Sequence, residues 1–412
     1  MLKNGGNELT RIANCIYGTL ATSALLAVSP AWAQKAYGPG VSDTEIKLGQ
    51  STPLSGPASA FGAGAGRAVV GYFEMLNEKG GINGRKINFT QFDNAYNAPK
   101  AIEQSRRLVE DVGVLAEVGT IGTVPNIAIQ KFLNSSKVPQ LFITAGGRRF
   151  NDPKTYPWTV PLYPDFETEG AVVAKYILKD HPDAKIGVFY QNDDFGKDYV
   201  KGLRRGLGAK ASLIIAEASY ELSDPTIDSQ IVQLKAAGVD TVIEQSAAKA
   251  TAQSIRKIHE LNWNPLHIIG GSSASLETVL KPAGLEASKG LVTTQFLKQP
   301  GDPAWANDEE VKAYKEFLKK YAPSTNPDDY SVLVAYMNVH GVALALKKCG
   351  DDLTRENLIR QATSLHGERL PMMLPGITIS TKPDDYTAFK TLRIAVFDGT
   401  SWTLSGDPLS AD

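Results

Sequence analysis

Apolar and polar side chains alternate along this chain with two different periods. Segment 86–92 alternates polar and apolar side chains at Ile87 and Phe89, which predicts a strand. Segment 67–79 places Val69, Phe73 and Leu76 on one side at helical spacing, which predicts an amphipathic helix. Patterns of these two kinds follow one another through most of the chain.

This alternation predicts an α/β fold in which parallel sheets carry helices on both faces. The predicted strands are 46–50, 86–92, 114–118, 140–143, 185–190, 212–217, 241–244 and 267–269. The predicted helices are 67–79, 98–111, 125–135, 166–178, 196–207, 226–237 and 248–261.

The alternation pauses at two places that predict domain boundaries. Segment 156–165 contains Pro157, Pro161 and Pro164 and reads as an extended crossover, and a second crossover is expected near 292–296. Two long helices, 303–321 and 329–348, follow, and the chain ends in predicted strands at 376–379, 392–396 and 401–404. Strands after helices suggest that the chain returns to complete an earlier sheet. We therefore expect two doubly wound lobes that face each other across a cleft.

The N-terminal segment reads as a signal peptide. A polar start with Lys3 and Arg11 precedes an apolar stretch, 12–28, which ends in Ala31-Trp32-Ala33, a small-x-small cleavage pattern. We predict cleavage after Ala33 and export to the periplasm. Polar residues interrupt the stretch, which argues against a membrane anchor. No other stretch is expected to approach spanning length, so the exported chain is predicted to be soluble.

Composition and motifs exclude several functions. Lys and Arg number 43 and Asp and Glu 44, so a net charge of −1 leaves no basic surface for nucleic acid. The five histidines are scattered, and no nucleophile motif is present, so we predict no metal, no catalytic residue and no enzymatic activity. The glycine cluster at 61–67 lacks the third glycine of a dinucleotide site. It reads instead as a loop at a helix N-terminus, and we expect no cofactor.

Four segments, taken together and in order, resemble one known family. They are the run LGQSTPLSGP at 48–57 with Phe61-Gly62 after it, the turn NEKGGING at 77–84, the first-lobe segment from 118–119 to 138–139, and the second-lobe segment 224–240. The chain is similar here to type I periplasmic binding proteins of ABC transporters, in the branch of leucine/isoleucine/valine-binding proteins. The resemblance covers nearly all of the chain that follows the signal peptide.

The resemblance implies two lobes joined by a three-crossover hinge, with the ligand in the cleft between them. The expected units are the signal peptide 1–33, an N-terminal lobe of 34–160 plus 294–372, and a C-terminal lobe of 161–293 plus 373–412. It also implies hinge closure on a small solute, delivery to a membrane permease, and a monomeric chain. A ligand-sensing receptor module is the alternative, because the same fold serves receptors.

The resemblance also implies a set of ligand-binding residues. A first-lobe cluster of backbone and hydroxyl groups would hold a ligand carboxylate, and aromatic positions would cover the ligand. The matching positions are Phe61, Ile121, Gly122, Thr123, Gly146, Gly147, Arg148, Phe195, Ala247, Gly271, Ser272 and Tyr330. Arg148 could pair with the carboxylate or lie in a surface turn.

One departure from the family bears on the ligand. Amino-acid binders of this family use an acidic residue after a second-lobe strand to pair with the ligand ammonium, but loop 269–275 contains no acid. Ala247 is also small where the family has an aromatic residue. We therefore hypothesise an aromatic or other organic acid without an ammonium group. Glu244 could replace the missing acid, which keeps branched-chain and other aliphatic amino acids as an alternative.

Overall fold

The computed structural model describes residues 35–56 and 58–411. The predicted signal peptide and the cleavage after Ala33 lie outside these residues.

The described chain alternates strands with helices, as the sequence predicts. The strands are β1 (Ala36–Tyr37), β2 (Glu45–Thr52), β3 (Lys86–Asp93), β4 (Ala116–Val118), β5 (Gln140–Ile143), β6 (Thr159–Pro161), β7 (Ile186–Gln191), β8 (Ile214–Tyr220), β9 (Thr241–Gln245), β10 (Leu266–Ile269), β11 (Val292–Gln295), β12 (Asp352–Leu353), β13 (Thr391–Phe397) and β14 (Trp402–Ser410). The helices are α1 (Ser59–Glu78), α2 (Ala98–Arg106), α3 (Thr123–Ser135), α4 (Phe166–Asp180), α5 (Asp194–Leu207), α6 (Asp228–Ala236), α7 (Ala248–Glu260), α8 (Lys281–Ala283), α9 (Leu285–Ser288), α10 (Glu309–Tyr321), α11 (Tyr330–Cys349) and α12 (Arg355–Ala362).

Two large sheets form the cores of two lobes. The first has the order β3-β2-β4-β5-β6, and all of its pairings are parallel. The second has the order β14-β13-β11-β10-β9-β7-β8. Strands β7 to β11 pair in parallel, whereas β13 is antiparallel to both β11 and β14. The expectation that the chain returns to complete an earlier sheet is confirmed by β13.

The chain passes between the two sheets three times: after β6, after β11 and before β13. Between the second and third passages, α10 and α11 pack on α1, beside the first sheet. One predicted lobe boundary needs a correction. Strand β11 runs to Gln295, and its residues Thr294 and Gln295 pair with β13 in the second sheet. The N-terminal lobe therefore does not resume at residue 294.

The glycine cluster is a second correction, because it lies inside α1 instead of forming a loop. A Cβ atom on Gly62 would lie 2.1 Å from the Pro53 carbonyl oxygen, and one on Gly66 would lie 2.7 Å from Leu54 Cδ2. Because Gly62 and Gly66 have no side chains, α1 can begin at Ser59 and pack against the loop that follows β2. The predicted strand at 376–379 is also wrong, since it contributes a single bridge between Ile379 and Glu368.

Helix α11 corrects the expectation that no second apolar stretch approaches spanning length. Among the described residues it is long and apolar enough to cross a membrane, but 78% of its most apolar window is buried inside the protein. Its buried side chains occur all around the helix and not along one stripe, and Tyr330, Leu333, Met337 and Leu346 are among them. A helix enclosed in this way is the core helix of a folded lobe.

A buried carboxyl group lies beneath the loop that follows β4. Glu117 is 1% exposed, and its Oε1 accepts hydrogen bonds from the Ser51 N–H (3.3 Å) and the Thr120 hydroxyl (3.1 Å). Its Oε2 has no hydrogen-bond partner among the described residues. Burial raises the pKa of Glu117 to about 7.

We expect this carboxyl group to make stability depend on pH. The folded-state pKa of Glu117, about 7, lies above its ordinary value of 4.5, so its ionisation favours unfolding as pH rises from about 4.5 to 7. Between pH 5 and pH 8 the cost is about 2–3 kcal/mol. Urea unfolding at both pH values should show that Glu117→Gln removes this loss, whereas the exposed control Glu316→Gln keeps it. Parallel pH profiles for the wild type and Glu117→Gln would contradict the expectation.

Candidate functional site

A cavity lies where the carboxyl ends of strands from both sheets come together. Its empty space, including the part open to solvent, measures about 680 Å³. The loops after β3, β4 and β5 line it from the first lobe, and those after β7, β8, β9 and β10 line it from the second. Crevices beyond the carboxyl ends of parallel strands are the usual ligand sites of open α/β sheets.

The start of α3 forms the polar part of the first-lobe wall. Gly122 precedes the helix with φ +100°, and its N–H donates to the Thr144 carbonyl (3.1 Å). The Asn126 amide donates to the carbonyls of Thr120 (2.9 Å) and Gly122 (2.8 Å), which fixes this loop. The start of the helix and the Thr123 side chain therefore lie at the cavity, where the positive end of the helix dipole and the Thr123 hydroxyl suit an anionic or other hydrogen-bond-accepting group.

Aromatic rings form much of the remaining lining. The contributing residues are Phe61, Tyr96, Tyr163, Phe166, Phe195 and Tyr330. Phe166 meets Phe195 edge to face at a centroid distance of 5.1 Å, and Tyr163 meets Phe166 at 6.2 Å. Because Phe166 begins α4 after the crossover from the first sheet and Phe195 belongs to α5 of the second lobe, these contacts connect the crossover to the second lobe.

The second-lobe wall is small and neutral. It consists of Gln191, Leu222, Ala247 and Ser272, together with Phe195. The Tyr220 hydroxyl donates to Gln191 Oε1 (3.0 Å) and accepts from the Ala247 N–H (2.8 Å), so it holds two of these loops together. The Ser272 hydroxyl oxygen has no hydrogen-bond partner among the described residues, which leaves it available to a ligand.

No acidic, basic or histidine side chain is among the described residues that line the cavity. Two acids near it have partners in the protein. Glu169 accepts from the Gly271 N–H (2.7 Å) and the Thr294 hydroxyl (2.6 Å), and burial raises its pKa. Asp193 caps α5 and accepts from the Phe195 N–H (3.0 Å) and the Gln191 amide (2.6 Å).

Eight of the residues predicted from the sequence line the cavity. They are Phe61, Ile121, Gly122, Thr123, Phe195, Ala247, Ser272 and Tyr330. The other four predicted residues, Gly146, Gly147, Arg148 and Gly271, do not line it. A Cβ atom on Gly146 would lie 2.2 Å from the Pro164 carbonyl oxygen, so this glycine packs against the crossover.

Arg148 and Glu244, the two charged candidates, have partners inside the protein. The Arg148 guanidinium lies 3.4 Å from Asp165 Oδ2 with its side chain 44% exposed, and the Arg148 N–H donates to Asp198 (2.8 Å). Glu244 is fully buried, and its carboxylate accepts from the hydroxyls of Ser246 and Ser254 and lies 2.8 Å from His267 Nε2. Neither side chain reaches the cavity lining.

The sequence missed lining residues whose placement depends on turns and crossovers. The missed residues are Ala58, Tyr96, Thr144, Ala145, Tyr163, Phe166, Gln191, Leu222, Ser331 and Val334. Several of them directly follow a predicted strand, a signal that could have marked Thr144 and Gln191.

Across the described residues, no group of three or more His, Cys, Asp or Glu side chains is placed to hold a metal ion.

The two-lobe architecture and the cavity at the strand ends define a solute-binding protein fold. The family model described as "Periplasmic binding protein" matches residues 45–400, and the chain belongs to this family of substrate-binding proteins. The fold class and the family read from the sequence are thereby confirmed.

Individual relatives agree with this assignment. The chain is 27% identical over 322 residues to the Leu/Ile/Val-binding protein homolog 7 of Brucella suis. The aligned segment covers 76% of this chain and 79% of the relative. Two solved structures share the fold. One is a branched-chain amino acid ABC transporter protein from Thermus thermophilus with bound valine (TM-score 0.77, 18% identity, 90% of this chain and 97% of that one). The other is a fatty acid ABC transporter substrate-binding protein from Thermomonospora curvata (TM-score 0.72, 22% identity, 91% and 95%).

We expect Gly122→Ala to destabilise the protein more than a glycine substitution in open space. A Cβ atom on Gly122 would lie 2.3 Å from Tyr96 Cε2, whereas one on Gly84 (φ +80°) would have no atom within 4 Å. Positive φ alone costs about 1–2 kcal/mol, which Gly84→Ala measures, and the collision should add about 1–3 kcal/mol in Gly122→Ala. Urea unfolding of both variants tests this. Equal losses would mean that the Tyr96 ring moves aside without cost.

Proposed function

We propose that this protein is the periplasmic solute-binding component of an ABC transporter and that its ligand is an aromatic or other organic acid without an ammonium group. The lobes would close on the ligand by hinge motion, and the closed form would deliver it to a membrane permease without chemical change. The supporting observation is a cavity lined by aromatic rings and hydrogen-bonding groups, with no charged side chain among its described lining residues.

The carboxylate part of this proposal rests on the start of α3. The positive end of the helix dipole favours an anion there, and the Thr123 side chain lies beside it. Charge-assisted hydrogen bonds to a carboxylate are roughly twice as strong as neutral ones. The aromatic rings around this point would cover the apolar body of the ligand.

The lack of an ammonium partner supports the second part of the proposal. Loop 269–275 contributes the hydroxyl of Ser272 and no acid to the cavity, and Glu244 is held by Ser246, Ser254 and His267. Leaving a buried charge unpaired costs roughly 3–5 kcal/mol, which is about two to three and a half decades in affinity. An amino acid would carry this cost, and an organic acid would not.

Branched-chain amino acids are the second candidate ligand. The names of the Brucella relatives and the valine in the Thermus thermophilus structure favour them. We also propose that the chain is exported by cleavage after Ala33 and acts as a monomer, since one chain supplies both lobes of the cavity.

A ligand screen tests the proposed function. We expect phenylacetate, benzoate or a related organic acid to raise the melting temperature of the purified protein, and leucine and valine to raise it less or not at all. Calorimetric titration of the acid that stabilises most would give its affinity. Stabilisation by leucine or valine but by none of the acids would overturn the organic-acid proposal.

Restoring an acid at the second-lobe wall should change the ligand preference. Ser272→Glu would place a carboxylate beside the bound ligand, where it repels an organic acid and can pair with an ammonium group. We expect phenylacetate to bind at least about tenfold more weakly and leucine more tightly than in the wild type. Ser272→Gln, which has the same size without the charge, is the control. Equal behaviour of the two variants in calorimetric titration would show that charge at this position does not select the ligand.

A further inference from the structure

Tyr96 lies in an unusual turn between β3 and α2. Ala95 and Tyr96 have φ values of +51° and +58°, so two consecutive residues with side chains adopt the left-handed conformation. Such conformations are costly and persist only where the surrounding structure imposes them.

Two neighbouring polar side chains impose this turn. Asp93 Oδ1 accepts from the Ala95 N–H (2.9 Å), and hydrogen bonds of this kind, with those from Ser55 and Lys100, outweigh partial burial and hold the pKa of Asp93 well below its usual range. Asn94 is fully buried and accepts from the Tyr96 N–H (2.9 Å). The turn is therefore rigid, and so is the direction in which Tyr96 leaves it.

This direction carries the Tyr96 ring to the start of α3. The ring lies directly against Gly122, where a Cβ atom would be 3.3 Å from Tyr96 Cζ, the carbon that carries the hydroxyl. Burial and the Asp193 carboxylate raise the pKa of Tyr96, while the N–H groups of Val124 and Thr123 act on its oxygen in the opposite sense. The phenol therefore stays protonated at neutral pH.

The hydrogen-bonding direction at this point follows from that arrangement. The N–H groups of the first turn of α3 can only donate, so the phenol oxygen beside them acts as the acceptor. No described residue accepts a hydrogen bond from the Tyr96 hydroxyl, although the residue lines the cavity. Its proton is consequently available to a ligand.

We propose that Tyr96 is a specificity-determining residue that donates a hydrogen bond to the acid group of the ligand. This inference rests on the proposed function. The N–H groups at the helix start would donate to the Tyr96 oxygen, and the Tyr96 hydroxyl would in turn donate to the ligand. The site would therefore select a group with acceptor oxygens only. A carboxylate offers two charged acceptor oxygens, whereas the corresponding primary amide keeps one neutral acceptor oxygen and adds an NH₂ donor, so its hydrogen bond from the Tyr96 hydroxyl is weaker. The site would thus distinguish an acid from its amide.

The test compares phenylacetate with phenylacetamide, and benzoate with benzamide, by calorimetric titration of the wild type and Tyr96→Phe. The Phe variant keeps the ring against Gly122 and removes only the hydroxyl. We expect the ratio of acid affinity to amide affinity to fall about tenfold or more, mainly through weaker binding of the acid. Tyr176→Phe is the control, because Tyr176 lies on α4 outside the cavity lining and its hydroxyl pairs with His181 (3.3 Å).

Each outcome decides a different statement. An unchanged acid-to-amide ratio in Tyr96→Phe, an equal loss of both ligands, or tighter binding of the acid would overturn the role of Tyr96 and leave the proposed function standing. A wild-type protein that binds neither acid in these titrations would overturn both proposals, and this result is recognised before any variant is measured.

Discussion

The site depends on one constraint, which is that a parallel strand and the helix after it leave backbone groups without partners where they meet. At the start of α3 these groups are N–H donors, and no strand or earlier helical turn can satisfy them. Gly122, with its positive φ, lets the chain make this turn, and Asn126 holds the carbonyls that precede it. Because the parallel strands of a sheet end at one edge, the turns of both lobes collect around a single cavity.

The cavity lining is neutral because the charged side chains near it are bonded to other groups of the protein. Glu169 joins the first helix after the crossover to the Gly271 loop, Asp193 caps α5, and Arg148 lies on Asp165. Each charge stabilises a connection behind the wall and is absent from the described lining. What faces the cavity is then neutral, so hydroxyls, the Gln191 amide and ring faces are left to recognise the ligand.

Periodicity and turn chemistry predicted the fold well, because they depend on local spacing. Most of the order of strands and helices and the return of the last strands were predictable, whereas the short strands β6 and β11, which lie where crossovers were expected, were not. The glycines at 61–67 were misread because their reason is tertiary: Gly62 and Gly66 let α1 lie on the loop after β2. The placement of Thr294 and Gln295 was misassigned for a similar reason, since only pairing with β13 shows which sheet they join.

The sequence by itself determined the family, the α/β class and the segments after the strands that carry Phe61, Thr123, Phe195 and Ser272, because these follow from order and periodicity along the chain and from the family motifs. The tertiary structure alone decided which polar groups face the cavity. It turned Arg148 and Glu244 toward partners inside the protein and brought Tyr96 across from the turn after β3 to Gly122. The physical reason is that side-chain direction depends on long-range contacts and on a strained turn. Neither can be read from the spacing of residues along the sequence.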